Sequence, residues 1–112
     1  MAFDVDLAWR LREALAAAGA TVTEKKMFGG LAFLVGGNMC VSARGGGGLL
    51  ARVDPAQDAA ALAEPGAKRM DMGRGEMAGW ITVDPEGVAS DEAVKAWVDR
   101  SLSYVSSLPP KK

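Results

Sequence analysis
The sequence predicts an α+β fold in two layers. An antiparallel sheet of about 5–6 strands is expected to pack against N- and C-terminal helices and a short middle helix, in the order α-β(3-4)-α-β(2)-α. Three observations carry this. Apolar residues recur at helical spacing over long stretches only near the two ends of the chain. Between them lie short apolar or β-branched runs, separated by glycine, proline and acidic turn residues. One pair of those runs is joined by Gly36-Gly37-Asn38, a tripeptide that accepts positive φ at low cost and therefore reads as a β-hairpin.

Each element has its own warrant. Phe3, Leu7, Leu11, Ala14, Leu15 and Ala18 share one helical face, so an amphipathic helix is predicted from about Asp4 to Ala18. Asp4 and Asp6 suit the positive end of its dipole, and Gly19 is its stop. Val5 and Trp9 widen the apolar surface, with Trp9 read as an anchor at the core edge. Thr21 to Met27 reads as an exposed first strand, its lysines suited to a sheet edge.

Leu31 to Val35 and Met39 to Ser42 form the arms of the hairpin. Leu31, Phe33 and Val35 face one side and Ala32 and Leu34 the other, as the two-residue repeat of a strand requires. Gly29-Gly30 just before it suggests a bend, a bulge or a close backbone approach.

The glycines after Arg44 invite a phosphate-cradle reading, but a P-loop ends in Lys-Ser/Thr and opens a helix. Here the strand-like run Leu49 to Val53 follows, so a hairpin tip is expected. Asp54-Pro55-Ala56-Gln57 is a helix start, with Asp54 as cap, Pro55 at the first position and Gln57 at capping-box spacing. Glu64-Pro65-Gly66 ends that short helix. Ala67 to Met72 reads as a brief strand and Met77 to Val83 as a stronger one, with the loop Gly73 to Glu76 between them. Asp84-Pro85-Glu86-Gly87 closes the second. Ser90 caps the last helix, whose stripe is Val94, Trp97, Val98, Ser101, Leu102, Val105 and Leu108. Pro109-Pro110 is read as its terminator.

Composition narrows the chemistry. At 112 residues the chain is expected to form one domain, 1–112, large enough to hold a core without disulfides or metal. Thirteen basic and 14 acidic residues give a net charge of −1, which argues against a strongly electrostatic nucleic-acid binder. There is no histidine, so no Ser-His-Asp or Cys-His pair can exist, and with one cysteine the usual zinc sites are disfavoured. Cys40 lies among apolar strand residues and is read as a small core side chain. The acids fall at helix starts and turns, where capping and solvation explain them. No enzyme activity, catalytic residue, cofactor or metal is therefore expected. No membrane-length apolar run and no signal-type N-terminus is present, and a lone cysteine suits a reducing compartment, so a cytoplasmic location is expected.

Several of these motifs recur together in one family. Lys26-Met27-Phe28-Gly29-Gly30-Leu31, then Gly36-Gly37-Asn38-Met39-Cys40, Arg52-Val53, Glu64-Pro65-Gly66-Ala67, Met77 to Val83, and Trp97 to Leu108-Pro109-Pro110 resemble the TfoX N-terminal domain family in order and spacing. The resemblance runs from about Arg10 to Pro110. It implies a helix, three or more strands, a short helix, two strands and a helix. The family takes its name from bacterial regulators of competence for DNA uptake, in which a second domain follows. A stand-alone copy is expected here, with no catalytic motif to transfer.

The resulting expectation is a non-catalytic regulatory domain that binds a protein partner or itself. Its candidate surfaces are the strand Thr21 to Met27 and the surroundings of Trp9 or Trp80, while Trp97 is assigned to the core. The alternative is a nucleic-acid-binding accessory protein, with Lys25, Lys26, Arg44, Arg52, Lys68, Arg69 and Arg74 gathered into a basic patch. Small-ligand binding would use the six methionines and the sites at Gly29-Gly30 and Gly79, although methionine more commonly fills gaps in a core.

Overall fold
The computed structural model describes residues 5–27, 30–44, 48–71 and 76–109. Helix α1 spans Val5–Ala17 and is followed by strands β1 (Thr23–Met27), β2 (Gly30–Val35), β3 (Asn38–Ala43) and β4 (Leu49–Arg52). A single 3-10 turn, Pro55–Gln57, leads into the short helix α2, Asp58–Leu62. Strands β5 (Ala67–Asp71) and β6 (Glu76–Val83), a second 3-10 turn at Pro85–Val88 and helix α3 (Asp91–Val105) complete the order. The α+β class and the two-layer arrangement are as the sequence predicts.

All six strands form one sheet in the order β1-β2-β3-β4-β6-β5, and each neighbouring pair is antiparallel. The Gly36-Gly37 turn has φ of 60° and 83° and closes the pair Val35↔Asn38. Gly30 marks the close approach expected there: a Cβ on it would lie 2.0 Å from the carbonyl oxygen of Ala43. The register slips between Phe33 and Leu34, which pair with Val41 and Met39. Cys40 is the extra residue of this bulge, and both Cys40 and Val41 join the main core.

Helices α1 and α3 contact each other and lie on β3, with α3 extending over β4, while α2 covers β5 and β6. Between the layers, Leu7, Leu11 and Leu15 of α1 and Val94, Trp97, Val98 and Val105 of α3 meet Phe33, Val41, Leu49, Ala51, Ile81 and Val83 of the sheet. Each large side chain buried here contributes about 1.5–3 kcal/mol relative to exposure. By register, Ala32, Ser42 and Leu50 point to the other face of the sheet. There Ala32, Met39 and Leu50 form a second, smaller cluster covered by Leu34, Met70 and Trp80.

Local chemistry explains the element boundaries. Ser90 Oγ accepts from the Ala93 N–H, and Asp91 and Glu92 sit in the first turn of α3. Asp54 accepts from the Ala56 N–H at 2.9 Å, and Gly66, at φ 76°, turns the chain out of α2. Some boundaries differ from expectation. The strand expected from Thr21 starts at Thr23, because Val22 instead packs against the core. The middle helix begins as a 3-10 turn, and Asp84 to Gly87 likewise runs into a 3-10 turn rather than a plain one. Helix α3 ends at Val105, before Leu108 and Pro109, because the hydroxyls of Ser106 and Ser107 turn back onto the carbonyls of Leu102 and Tyr104. The glycine tip after Arg44 falls at residues 45–47, outside the described residues; the Arg44 N–H bonds Gly48 O at 2.8 Å across its base. Residues 28, 29 and the loop at 72–75 also lie outside them.

Candidate functional site
Trp9 corrects one expectation. It is 56% exposed rather than anchored at the core edge, and Val5, one turn earlier on the same face, is 49% exposed. The cause is helical phase. Leu7, Leu11 and Leu15 consume the inward face of α1, which leaves positions 5 and 9 pointing outward. Beside them runs a groove of about 580 Å³ between α1 and α3, floored by Ala14, Ala17, Ala18 and Val94. Its polar rim is mostly committed. Arg10 bonds Asp91 at 3.1 Å and the carbonyl of Val88 at 2.8 Å, and Lys95 pairs with Asp99 at 2.7 Å. Arg12 sits over the Trp9 ring at 5.8 Å and forks onto both Glu24 oxygens at 2.6 and 2.7 Å. Glu13, also on the rim, is exposed and makes no ion pair among the described residues.

A second polar constellation lies under α2. Asp58 is buried and accepts from the Gly79 N–H at 2.8 Å through Oδ1, while Oδ2 accepts from Nε and Nη2 of Arg69. Hydrogen bonds from Arg69 and then from Gly79 hold its carboxyl below the usual carboxylate range, against the opposing effect of burial. Gly79 is fixed here by geometry: at φ 85° a Cβ would meet the Val53 carbonyl oxygen at 2.6 Å. Both carboxylate oxygens are engaged, so the cluster ties α2 to β5 and β6. The sequence reading passed over Asp58, because an acid in the first turn of a helix looks like a solvated dipole partner. The signal available was Arg69 eleven residues on, in a strand.

Burial pushes the Cys40 thiol up to about 12, which keeps it protonated and inert. Among the described residues, no three His, Cys, Asp or Glu side chains cluster as a metal would require.

Among the described residues, the cations singled out in the sequence fall at separate places on the sheet. Lys25 pairs in register with Ala32 and so shares the face opposite the helices; Lys26, opposite Leu31, shares the helical face. Both are exposed on the edge strand β1. At the far edge, exposed Lys68 reaches Asp84 at 3.4 Å, and Arg69 turns to Asp58. Five strand spacings of about 4.8 Å, roughly 24 Å in all, separate the two edges. Arg52 lies over the rings of Trp80 and Tyr104 at 5.1 and 5.7 Å. Arg44 is half-buried at the end of β3, and Arg74 lies outside the described residues.

Fold and surface together define a two-layer α+β domain whose uncommitted feature is an apolar helical face beside a shallow groove. The TfoX N-terminal domain family model matches residues 13–104, most of the chain, and the chain belongs to that family. It is thus a competence-regulator-like domain of a family not known for enzymes. No curated protein and no solved structure matches it. No helix among the described residues is long and apolar enough to cross a membrane.

Proposed function
We propose that this domain is a non-catalytic regulatory module that acts by protein–protein contact through the outer face of α1. The observation that carries the reading is Trp9, about half exposed at the edge of the α1–α3 groove, with Val5 half exposed one turn earlier on the helix. A large exposed tryptophan beside a concave apolar strip has the composition of an interface centre, since aromatic side chains dominate binding energy at such centres. Family membership supports a regulatory role, because the family is named for competence regulators.

Asp58 and Arg69 are paired under α2, and Arg12 and Glu24 are paired with each other at the surface. The edge strand β1 carries Glu24, Lys25 and Lys26 exposed along its length, a charge pattern that discourages strand addition. The helical face is therefore the better docking surface of the two.

The test is affinity capture from a lysate of the source cell on immobilised wild-type and Trp9→Glu protein, read together with self-association of the purified chain. Binding that depends on Trp9, either to a partner or to a second copy, is the expected result. Capture and self-association both indifferent to Trp9 would refute the reading.

A further inference from the structure
We infer that Arg52 is a carboxylate-binding residue, and that the polar pocket beside it takes the rest of a small, hydroxylated organic acid. The site lies at the end of the sheet and of α3, so it is independent of the reading of α1. Arg52 ends β4, and its register partner on β6 is Trp80. Its guanidinium lies over the Trp80 ring at 5.1 Å and over the Tyr104 ring of α3 at 5.7 Å. Trp80 packs on the smaller cluster and Tyr104 on the main core, so Arg52 is held where the edges of the two meet.

The molecule supplies its own comparison. Arg12 also lies over two rings, Trp9 at 5.8 Å and Phe33 at 5.9 Å, and its fork closes on both oxygens of Glu24. Arg10, Arg69 and Arg100 have acidic partners as well. Arg52 is half-buried and stacked in the same way as Arg12, yet its side chain makes no hydrogen bond or ion pair among the described residues. The covered side-chain atoms without a partner there are Arg10 Nη2, Ser42 Oγ and Ser101 Oγ, so the Arg52 nitrogens are open to solvent. A guanidinium held by two rings has already lost much of its rotamer freedom. It presents its donors in the fork that a carboxylate accepts bidentately, as Glu24 does for Arg12.

The pocket chooses among anions. Tyr104 belongs to both parts of the site: it stacks on Arg52 and lines a pocket of about 420 Å³. Gln57, Ser103 and Ser107 give that pocket an amide and hydroxyls, and Asp54 and Asp99 line it too. Asp99 is paired with Lys95, and Arg100 on the same wall with Glu64, which leaves Arg52 to match a single negative charge. Asp54, two residues beyond Arg52, disfavours the second charge of a phosphate dianion. The amide, hydroxyl and carboxylate groups of the wall accept from ligand hydroxyls, so a hydroxylated monocarboxylate fits best. One fork and a shallow pocket give a Kd on the order of 1 mM.

A titration followed by NMR tests it, with gluconate as the probe. Gluconate should shift the Arg52 Nε–H and Trp80 indole N–H signals saturably, and propionate and inorganic phosphate should each bind more weakly. Arg52→Gln and Arg52→Lys, read at the Trp80 indole, should each raise the gluconate Kd at least about tenfold. The lysine variant keeps the charge and loses the fork. Arg44→Gln, which removes the other half-buried arginine without an acid partner among the described residues, should leave the Kd unchanged. Retained dispersion of the amide signals shows that each variant is folded.

No saturable shift at Arg52 up to about 20 mM gluconate overturns the inference. So does binding that survives Arg52→Lys, because charge alone would then suffice. Phosphate binding as tightly as gluconate overturns the choice of a carboxylate. A glutamate-rich peptide that shifts Arg52 where gluconate does not would make the occupant an acidic protein, and the small-acid site falls.

Discussion
The carboxylate of Asp58 is held by three donors, with only 8% of its side chain open to solvent. Removing it strands the Arg69 guanidinium and the Gly79 N–H together. Asp58→Ala is therefore expected to lower unfolding stability by about 2–4 kcal/mol. Asp58→Asn, which can still accept from Gly79, should cost roughly half as much. The pH dependence follows from the sign of the shift. The folded pKa is depressed, so the stabilisation is fully present above the unfolded value of about 3.9 and is lost as pH falls through the lower folded value. Urea unfolding of wild type and Asp58→Asn at several pH values should show a constant gap near neutrality that narrows below about pH 4. A gap that widens on acidification would contradict the assignment. Cys40 gives a second expectation at this scale. Its thiol, pushed up to about 12 by burial, should react with a thiol-specific disulfide reagent only as fast as the protein opens. Prompt stoichiometric labelling of the native protein would show that the residue is not enclosed.

At the scale of elements, two tryptophans on neighbouring helices have opposite roles. Trp97 of α3 is 3% exposed in the main core, whereas Trp9 of α1 is 56% exposed. Trp97→Ala should cost about 3–5 kcal/mol, and Trp9→Ala should change stability by less than about 0.5 kcal/mol. Thermal or chemical unfolding of the two variants decides this; a comparable loss in both would place Trp9 in the core. Both tryptophans sit on amphipathic stripes, and periodicity alone could not separate them. The width of the apolar arc on α1 was legible from Leu7, Leu11 and Leu15, but not where its edge fell, because that depends on how the helix rolls against α3. The end of α3 was misjudged for a related reason. Proline after a helix sets a limit, but the hydroxyls of Ser106 and Ser107 had already captured carbonyls four and three residues back. The strands, the Gly36-Gly37 turn and the caps at Asp54 and Ser90 were legible because each is fixed by local chemistry.

At the scale of the whole molecule, sheet topology decides which side chains meet. The nucleic-acid alternative gathers seven cations on one side of the sheet. The order β1-β2-β3-β4-β6-β5 places Lys25 and Lys26 at one edge and Lys68 and Arg69 at the other, with Arg69 and Lys68 neutralised by aspartates. Such long-range placement is not written in local spacing, and neither was the joining of Asp58 to Gly79 across 21 positions. With a net charge of −1, and Lys25 and Lys26 at the opposite sheet edge from Lys68 and Arg69, the domain is expected to show no retardation of duplex DNA in gel shifts at about 0.1 M salt. Retardation that weakens steeply with added salt would reveal a phosphate-binding surface instead.

The proposed regulatory role rests on a division of labour: two clusters and the Asp58 tie hold the body together, while the outer face of α1 stays exposed for the proposed contact. Hydroxyl-radical footprinting of the native protein tests that division directly, because oxidation reports the access of each side chain. Trp9 should be oxidised severalfold faster than Trp97, and whatever binds the domain should lower labelling at Trp9 while Trp97 keeps its own. Trp9 oxidised as slowly as Trp97, or protection on binding that appears along β1 instead, would contradict the account.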